Sequence, residues 1–462
     1  MPFARLPQLL LLACLAGAGA CATLPDVGEL RADAAQEQSG GGKPRIKGRQ
    51  GLLSPGRTAA ILRELERQGK TSLLDRHFAF MQTLHDKPLT AGNGARLLID
   101  GPRTYAAMFE AIAAAKDHVN LETYILEEDE IGRKFAALLA QKAGEGVQVN
   151  LMYDSVGSIN TSRAFFDALR GQGVNVCEFN PVNPVKGRLF SLNNRDHRKL
   201  LVVDGQVSFT GGINISNVYA SSIFGSRRRE VKQEGWRDTH IEVRGPATQD
   251  FQRLFIDNWG TQACGRLPQR QYFPQPVRGG DQVVQAIGSS PGDALNLIYL
   301  ELLSAISHAE RSVWITMAYF VPDAQTTAAL KDAVKRGVDV TLVLPGFSDY
   351  WITFYAGRSY YDELLAAGVR IYERRDALLH AKTAVIDGVW STVGSTNMDL
   401  RSFLHNHEVN AVVLGAEFAG EMERVFRRDL EESVPIDPKA WEKRGAAERA
   451  KETLARMWAY WL

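Results

Sequence analysis

Two short stretches each carry a His and a Lys two residues apart, with an Asp five residues beyond the Lys. They are His197-Arg198-Lys199-Leu200-Leu201-Val202-Val203-Asp204 and His380-Ala381-Lys382-Thr383-Ala384-Val385-Ile386-Asp387. Each is continued by an Asn ten residues after its Asp, at Asn214 and Asn397. Both read as apolar strands, on which residues two apart point to the same face. Two such strands facing one pocket offer two imidazoles, two ammonium groups and two amides. That set suits an anionic phosphate, with an acid and a base beside it. One copy alone is a weak pattern. The second copy, at position 380 against 197, repeats it down to Gly-Ser-x-Asn where the first has Gly-Gly-x-Asn.

Strand and helix alternate on the way to each motif. Ala95–Asp100, Val119–Leu126, Val147–Tyr153 and Val174–Phe179 are predicted strands, separated by helices over 104–116, 131–143 and 161–171. The order returns with strands over 313–320, 338–344 and 369–372 and helices over 297–309, 326–336 and 360–367. Gly-Val opens a strand at the same points of both halves: Gly146 and Gly337, Gly173 and Gly368. Short apolar strands between helices imply an α/β fold, each half a mixed sheet with helices on both faces. Two long copies indicate a duplicated domain with one shared active site at the interface.

The first twenty residues have the shape of an export signal, with Arg5, an apolar run over 9–16 and small residues before Cys21. The small residues directly before Cys21 are similar to a bacterial lipoprotein cleavage box, which makes Cys21 a candidate for lipidation. Ala22 is not the Asp that retains such lipoproteins in the inner membrane, so the outer membrane is favoured. Residues 21–90 are expected to be a tether and a helical segment, with the first domain over 91–266 and a linker over 267–283. The second domain follows over 284–435, and an amphipathic helix over 436–462. That last helix presents Ala447, Ala450, Leu454, Met457 and Trp461 on one face. It either packs on the core or lies in a membrane interface. Cys177 and Cys264 are no disulfide framework and are expected as small buried residues, although an oxidising compartment permits a bridge.

Lys plus Arg is 54 against 53 for Asp plus Glu, a net charge of +1, which counts against a nonspecific nucleic-acid binder. His405 and His407 flank Asn406, but their spacing fits none of the standard zinc sets, and no metal or other cofactor is expected. No obligate protein partner is evident.

The paired motifs resemble those of the phospholipase D superfamily, and within it the bacterial cardiolipin synthases. The closest stretch is Gly394-Ser395-Thr396-Asn397-Met398-Asp399-Leu400-Arg401-Ser402-Phe403, continued by Asn406 and Glu408. Tyr319-Phe320-Val321-Pro322-Asp323, Ser359-Tyr360-Tyr361 and Trp236-Arg237-Asp238 also match. The resemblance implies catalysis through a phosphohistidine, with His197 as nucleophile and His380 as acid and base. Lys199 and Lys382 then supply fixed positive charge, and Asn214, Asn397 and Ser395 donate hydrogen bonds to phosphate. It also implies an orienting carboxylate downstream of each motif: Asp238 for His197, and Glu408 in the second half. Asp204 and Asp387 are expected to be structural. Tyr124 and Tyr319 close equivalent strands and either line the pocket or pack in the core. The run Arg227-Arg228-Arg229 is either a solvated loop or a clamp for anionic headgroups.

The implied reaction is phosphatidyl transfer between two phosphatidylglycerol molecules in a membrane, giving cardiolipin and glycerol. Rivals are a phospholipase D that uses water, a nuclease using the same pocket, and a catalytically idle lipid-binding lipoprotein. Familiar cardiolipin synthases often carry two N-terminal membrane spans, where this chain has a single export signal.

Overall fold

The computed structural model describes residues 23–30, 44–181, 193–220 and 235–462. Cys21 and the run Arg227-Arg228-Arg229 lie outside the described residues. In the first half, strand pairing runs from Asn175–Phe179 through Gln148–Asp154, His118–Thr123, Lys199–Val203, Val207–Gly211 and Thr239–Arg244 to Leu89–Ile99. In the second it runs from Arg370–Arg374 through Asp339–Pro345, Ser312–Met317, Lys382–Ile386, Trp390–Gly394 and Asn406–Leu414 to Gln282–Ser289. The order is the same strand for strand. In both halves the first two junctions are parallel and the rest antiparallel. The fold is therefore a duplicated α/β unit built on mixed sheets.

The motif strands sit at the middle of each sheet, and every residue of Lys199–Val203 and Lys382–Ile386 is buried. A strand covered on both faces reads as a continuous apolar run, which is how both motifs read. The two sheets join edge to edge where Leu89–Ile99 pairs antiparallel with Gln282–Ser289. One apolar core belongs to both halves. In it, Phe251, Phe255 and Trp259 of the helix Thr248–Thr261 and Phe418 and Met422 of the helix Ala416–Glu431 pack with Leu200, Val202, Val385 and Val409.

Asp204 and Asp387 end the motif strands in the left-handed region, at φ 51° and 52°, a conformation that Asp tolerates better than bulkier residues. The Asp204 carboxylate accepts hydrogen bonds from the amides of Lys116, Asp117 and His118. Asp387 does the same for Glu310, Arg311 and Ser312. Each Asp thus ties its motif strand to the start of the neighbouring strand.

Three features differ from the sequence reading. The part of 21–90 expected as a tether is packed in places, because apolar residues in it are buried. Val27 and Ile46 are covered, and the helices Pro55–Gly69 and Leu73–Leu84 pack Leu62, Leu73, Leu74 and Phe78 against Leu300, Leu303 and Trp390. Cys177 and Cys264 are bonded to each other, with Cα atoms 5.4 Å apart, because the end of the helix Thr248–Thr261 returns beside the edge strand Asn175–Phe179. The C-terminal segment is broken at Gly445 into Pro438–Glu442 and Ala446–Arg456, with a final turn over Ala459–Trp461. The face of Ala446–Arg456 that packs is not the apolar one. Glu452 is buried on Arg444, and Ala455 is buried near Ala356 and Val321. Ala447, Ala450, Leu454 and Met457 face outward.

The bridge closes a loop of 87 residues. Cys177→Ser and Cys264→Ser are expected to lower stability by about 2–4 kcal/mol, read as a drop in thermal midpoint that reductant reproduces in the wild type and not in the variants.

Candidate active site

The site is assembled by two short strand pairings that cross between the halves. Arg195–Asp196, directly before His197, pairs in parallel with Asn406–His407, directly before Glu408. Leu378–Leu379, ahead of His380, pairs in parallel with Trp236–Arg237, directly before Asp238. The amide of His197 donates to the His407 carbonyl at 3.0 Å, and that of His380 to the Arg237 carbonyl at 2.8 Å.

The histidine–carboxylate pairing crosses in consequence. His197 Nδ1 lies 2.9 Å from Glu408 Oε1, and His380 Nδ1 lies 2.7 Å from Asp238 Oδ2. Asp238 is not the partner of His197, as expected from its place downstream of the first motif; each imidazole is oriented from the other half. Both carboxylates are fully buried. An ionised carboxylate only accepts, so each Nδ1 carries a proton and each Nε2 presents a lone pair in the neutral ring.

Lys199 and Lys382 are buried and follow one pattern. Each Nζ donates to the carbonyl of the histidine two residues before it, at 2.6 Å. Lys199 lies over the Tyr124 ring and Lys382 over the Tyr319 ring, 5.1 and 5.8 Å from the centroids. The same two rings meet His197 and His380 edge-on. Tyr124 and Tyr319 therefore line the site. Their neighbours Trp236 and Tyr219 close the other side of His380, with ring centroids 5.0 and 5.7 Å away.

Burial pushes His197 and His380 down to about 4, reinforced by the lysines and opposed by the paired carboxylates. It also pushes Lys199 down to about 7 and Lys382 to about 8, with Glu408 and Asp238 pulling the other way. Glu408 would be raised by burial, but His197, Lys199 and Ser395 together hold it below the ordinary carboxylate range. Each lysine senses both carboxylates, so the six groups form one electrostatic unit. Without an anion both rings are neutral. A phosphodiester brought among them adds the negative charge that favours a proton on one ring.

Three expected phosphate donors are placed differently from one another. Asn214 uses its side chain within the fold: Oδ1 accepts from the Ile125 amide at 3.1 Å, and Nδ2 donates to Tyr219 Oη at 3.0 Å. Asn397 is buried, and its Oδ1 has no hydrogen-bond partner among the described residues. Ser395 serves the carboxylate in place of the phosphate, because its Oγ donates to Glu408 Oε2 and accepts from the Val409 amide. Gly212 stands at the equivalent place in the first half. A Cβ there would lie 2.2 Å from Asp238 Oδ1, so only glycine lets the shorter carboxylate approach. The Thr239 amide then donates to Asp238 directly, at 2.7 Å.

Sequence reasoning passed over Tyr219, Asp154 and Asp429. Tyr219 bridges Asn214 and His380, with Oη 3.4 Å from His380 Nδ1. Asp154 accepts from the amide of Asp196 and meets Arg195, fixing the turn into His197. Asp429 binds Arg237 and Arg374 side by side, fixing the turn into Asp238. A Tyr five residues after the motif Asn was a legible signal; the two acidic residues act through the fold alone. His405 and His407 belong to the crossed strand, and no metal-ligating cluster occurs among the described residues.

A family model described as "Cardiolipin synthase, PLD-like domain" matches residues 108–224 and 302–430, one match per half. The chain is 37% identical over 386 residues to a cardiolipin synthase of Geobacillus thermodenitrificans (strain NG80-2), covering 82% of this chain and 74% of that one. The chain belongs to this family. It is also 32% identical to the probable cardiolipin synthase YwiE of Bacillus subtilis (strain 168), over 83% of this chain and 75% of the relative. Among solved structures, the phosphatidylserine synthase of Haemophilus influenzae Rd KW20 shares the fold, with a TM-score of 0.58 at 13% identity over 82% of this chain and 96% of that one. In this member of the family the duplicated sheets and their crossed junction are thus the frame of a phospholipase D-type enzyme.

Crossed orientation has a direct spectroscopic consequence. In ¹⁵N NMR of the imidazoles, Glu408→Gln is expected to move the His197 resonances and spare those of His380, and Asp238→Asn to do the reverse. The same-half pairing predicts the opposite pattern. The lysines hold their charge below about 7 and about 8 and lose it above, so affinity for an anionic substrate falls as pH rises. The kcat/KM profile in a steady-state titration is therefore expected to have an alkaline limb between these values, carried mainly by rising KM.

Proposed function

We propose that the protein transfers a phosphatidyl group through a phosphohistidine, making cardiolipin from two phosphatidylglycerol molecules with release of glycerol. The observation that carries this is the pair of crossed His–carboxylate dyads sharing one buried space with two lysines, in a chain of the cardiolipin synthase family. His197 Nε2 attacks phosphorus, and the bond from phosphorus to the glycerol oxygen breaks. His380 gives its Nε2 proton to that leaving oxygen. The hydroxyl of the second phosphatidylglycerol then loses its proton to His380 and attacks phosphorus, and the bond to His197 breaks. Lys199 and Lys382 hold the phosphoryl oxygens through both steps, and the Asn397 amide turns toward them.

His197 is the better placed nucleophile. Among the described residues it meets one aromatic ring, whereas His380 is enclosed by Trp236, Tyr219 and Tyr319, which favours His197 for the approach to phosphorus. The bond between Cys177 and Cys264 supports an oxidising compartment, in keeping with an export signal over residues 1–20, lipidation at Cys21 and attachment to the bacterial envelope, the outer membrane favoured. Among the described residues no helix is long and apolar enough to cross a membrane.

Purified protein incubated with radiolabelled phosphatidylglycerol vesicles is expected to yield labelled cardiolipin and free glycerol. Phosphatidic acid as the sole product would replace transfer with hydrolysis. Single turnovers quenched in detergent at mildly alkaline pH, where a phosphohistidine survives, are expected to trap a phosphatidyl adduct in His380→Asn and none in His197→Asn, and an adduct in the latter would reverse the two roles. Either substitution is expected to lower turnover by at least about 10²-fold.

A further inference from the structure

The C-terminal helix, with its apolar side outward, packs on the helix that follows one of the two loops at the site. The loops that follow equivalent strands, Gln148–Asp154 and Asp339–Pro345, flank the two motif histidines. The first loop presses on Tyr124, where a Cβ on Gly157 would lie 2.8 Å from the ring, and it carries Ile159 at 69% exposure. The second carries Tyr350, whose ring meets Tyr319, and leads into Trp351, at 50% and 54% exposure. Tyr124 and Tyr319 meet the two motif histidines, so both loops border the one site.

The helix Ala446–Arg456 packs on the helix Trp351–Arg358 through Ala455 against Ala356, and Lys451 reaches Tyr355. The chain then ends beside the site, where the Leu462 carbonyl accepts from the Arg401 amide. This packing turns Leu454 and Met457 outward, at 54% and 76% exposure, although they are the helix's large apolar residues. A soluble helix ordinarily buries such a stripe. Here the charged side is the buried one, held by Glu452 on Arg444.

We propose that this rim, formed by Ile159, Tyr350, Trp351, Leu454 and Met457, is the surface that docks on the lipid bilayer and sets the active-site mouth against the headgroups. The proposal rests on the phosphatidyl-transfer reading and adds the orientation of the enzyme on its substrate. A bilayer suits the surface better than a protein partner does. Its large apolar residues come from separate elements around a single opening, and Trp and Tyr are side chains that favour the headgroup level. Basic side chains flank the rim at Arg401, at Lys451 beside Glu448 and at Arg456 beside Glu363, exposed enough at Lys451 and Arg456 to exchange those partners for anionic headgroups.

The test uses the full chain and vesicles of phosphatidylglycerol and phosphatidylethanolamine, some carrying brominated acyl chains. Brominated lipid is expected to quench a fraction of the tryptophan emission, and Trp351→Phe to remove that fraction. Ile159→Asp, Trp351→Asp and Met457→Asp are each expected to lower turnover on vesicles about 10-fold or more, while turnover of monomeric short-chain phosphatidylglycerol stays at the wild-type level and reports an intact fold. Unchanged vesicle turnover together with no Trp351-dependent quenching overturns the proposal. So does a solution dimer that these substitutions dissociate, because the rim then faces a second copy. If the wild type acts on no phosphatidylglycerol at all, the reading of the reaction fails while quenching still reports the docking face.

Discussion

Everything in the site depends on two parallel two-residue strand pairings that pass from one half to the other. Each fixes the backbone immediately before a motif histidine against the backbone immediately before a carboxylate from the opposite half. A strand pairing sets position along both chains at once, so His197 reaches Glu408 and His380 reaches Asp238 without long flexible side chains. Neither half owns a complete dyad. Separating the halves would leave each imidazole without the carboxylate that fixes its tautomer, which is a physical reason for the two units to share a continuous core and sheet.

Around these pairings the protein buries charges that would be costly if left alone. Arg195, Arg237 and Arg374 lie almost fully inside, each matched to Asp154 or Asp429. Such matched pairs position the turns more than they add net stability. Lys199 and Lys382 differ, since burial pushes their proton affinity down, helped at Lys199 by Lys382, and Glu408 and Asp238 are the main groups that oppose it. An arriving phosphodiester completes the charge balance. The site is thus preorganised for an anion, which is what stabilising negative character at phosphorus requires.

The duplicated halves also show how one geometry tolerates two sets of residues. In the first, Asp238 takes its hydrogen bond directly from the Thr239 amide, and Gly212 leaves it room. In the second, Glu408 is one methylene longer, and Ser395 stands between it and the Val409 amide. Glycine with aspartate and serine with glutamate are matched pairs, so exchanging one member alone would either crowd the carboxylate or leave a buried amide without its acceptor.

The sequence alone determined the reactive groups, the duplication and the family resemblance, because strand periodicity and motif spacing are local and repeated. Lys199–Val203 and Lys382–Ile386 are buried runs on central strands, and their terminal Asp residues anchor the neighbouring chain. What only the tertiary structure decided is which groups meet. Downstream order suggested Asp238 for His197, but contacts across 211 and 142 residues paired His197 with Glu408 and His380 with Asp238. Ser395 turned to Glu408 because the strand it follows and the strand that carries Glu408 are neighbours in the second sheet, and Cys177 found Cys264 because a helix end returns to an edge strand. The C-terminal helix showed its apolar stripe in the sequence, yet the outward direction of that stripe was set by Ala455 and Glu452 against their neighbours. Residue spacing records what one element presents on each face; which face is covered depends on packing between elements distant in the chain.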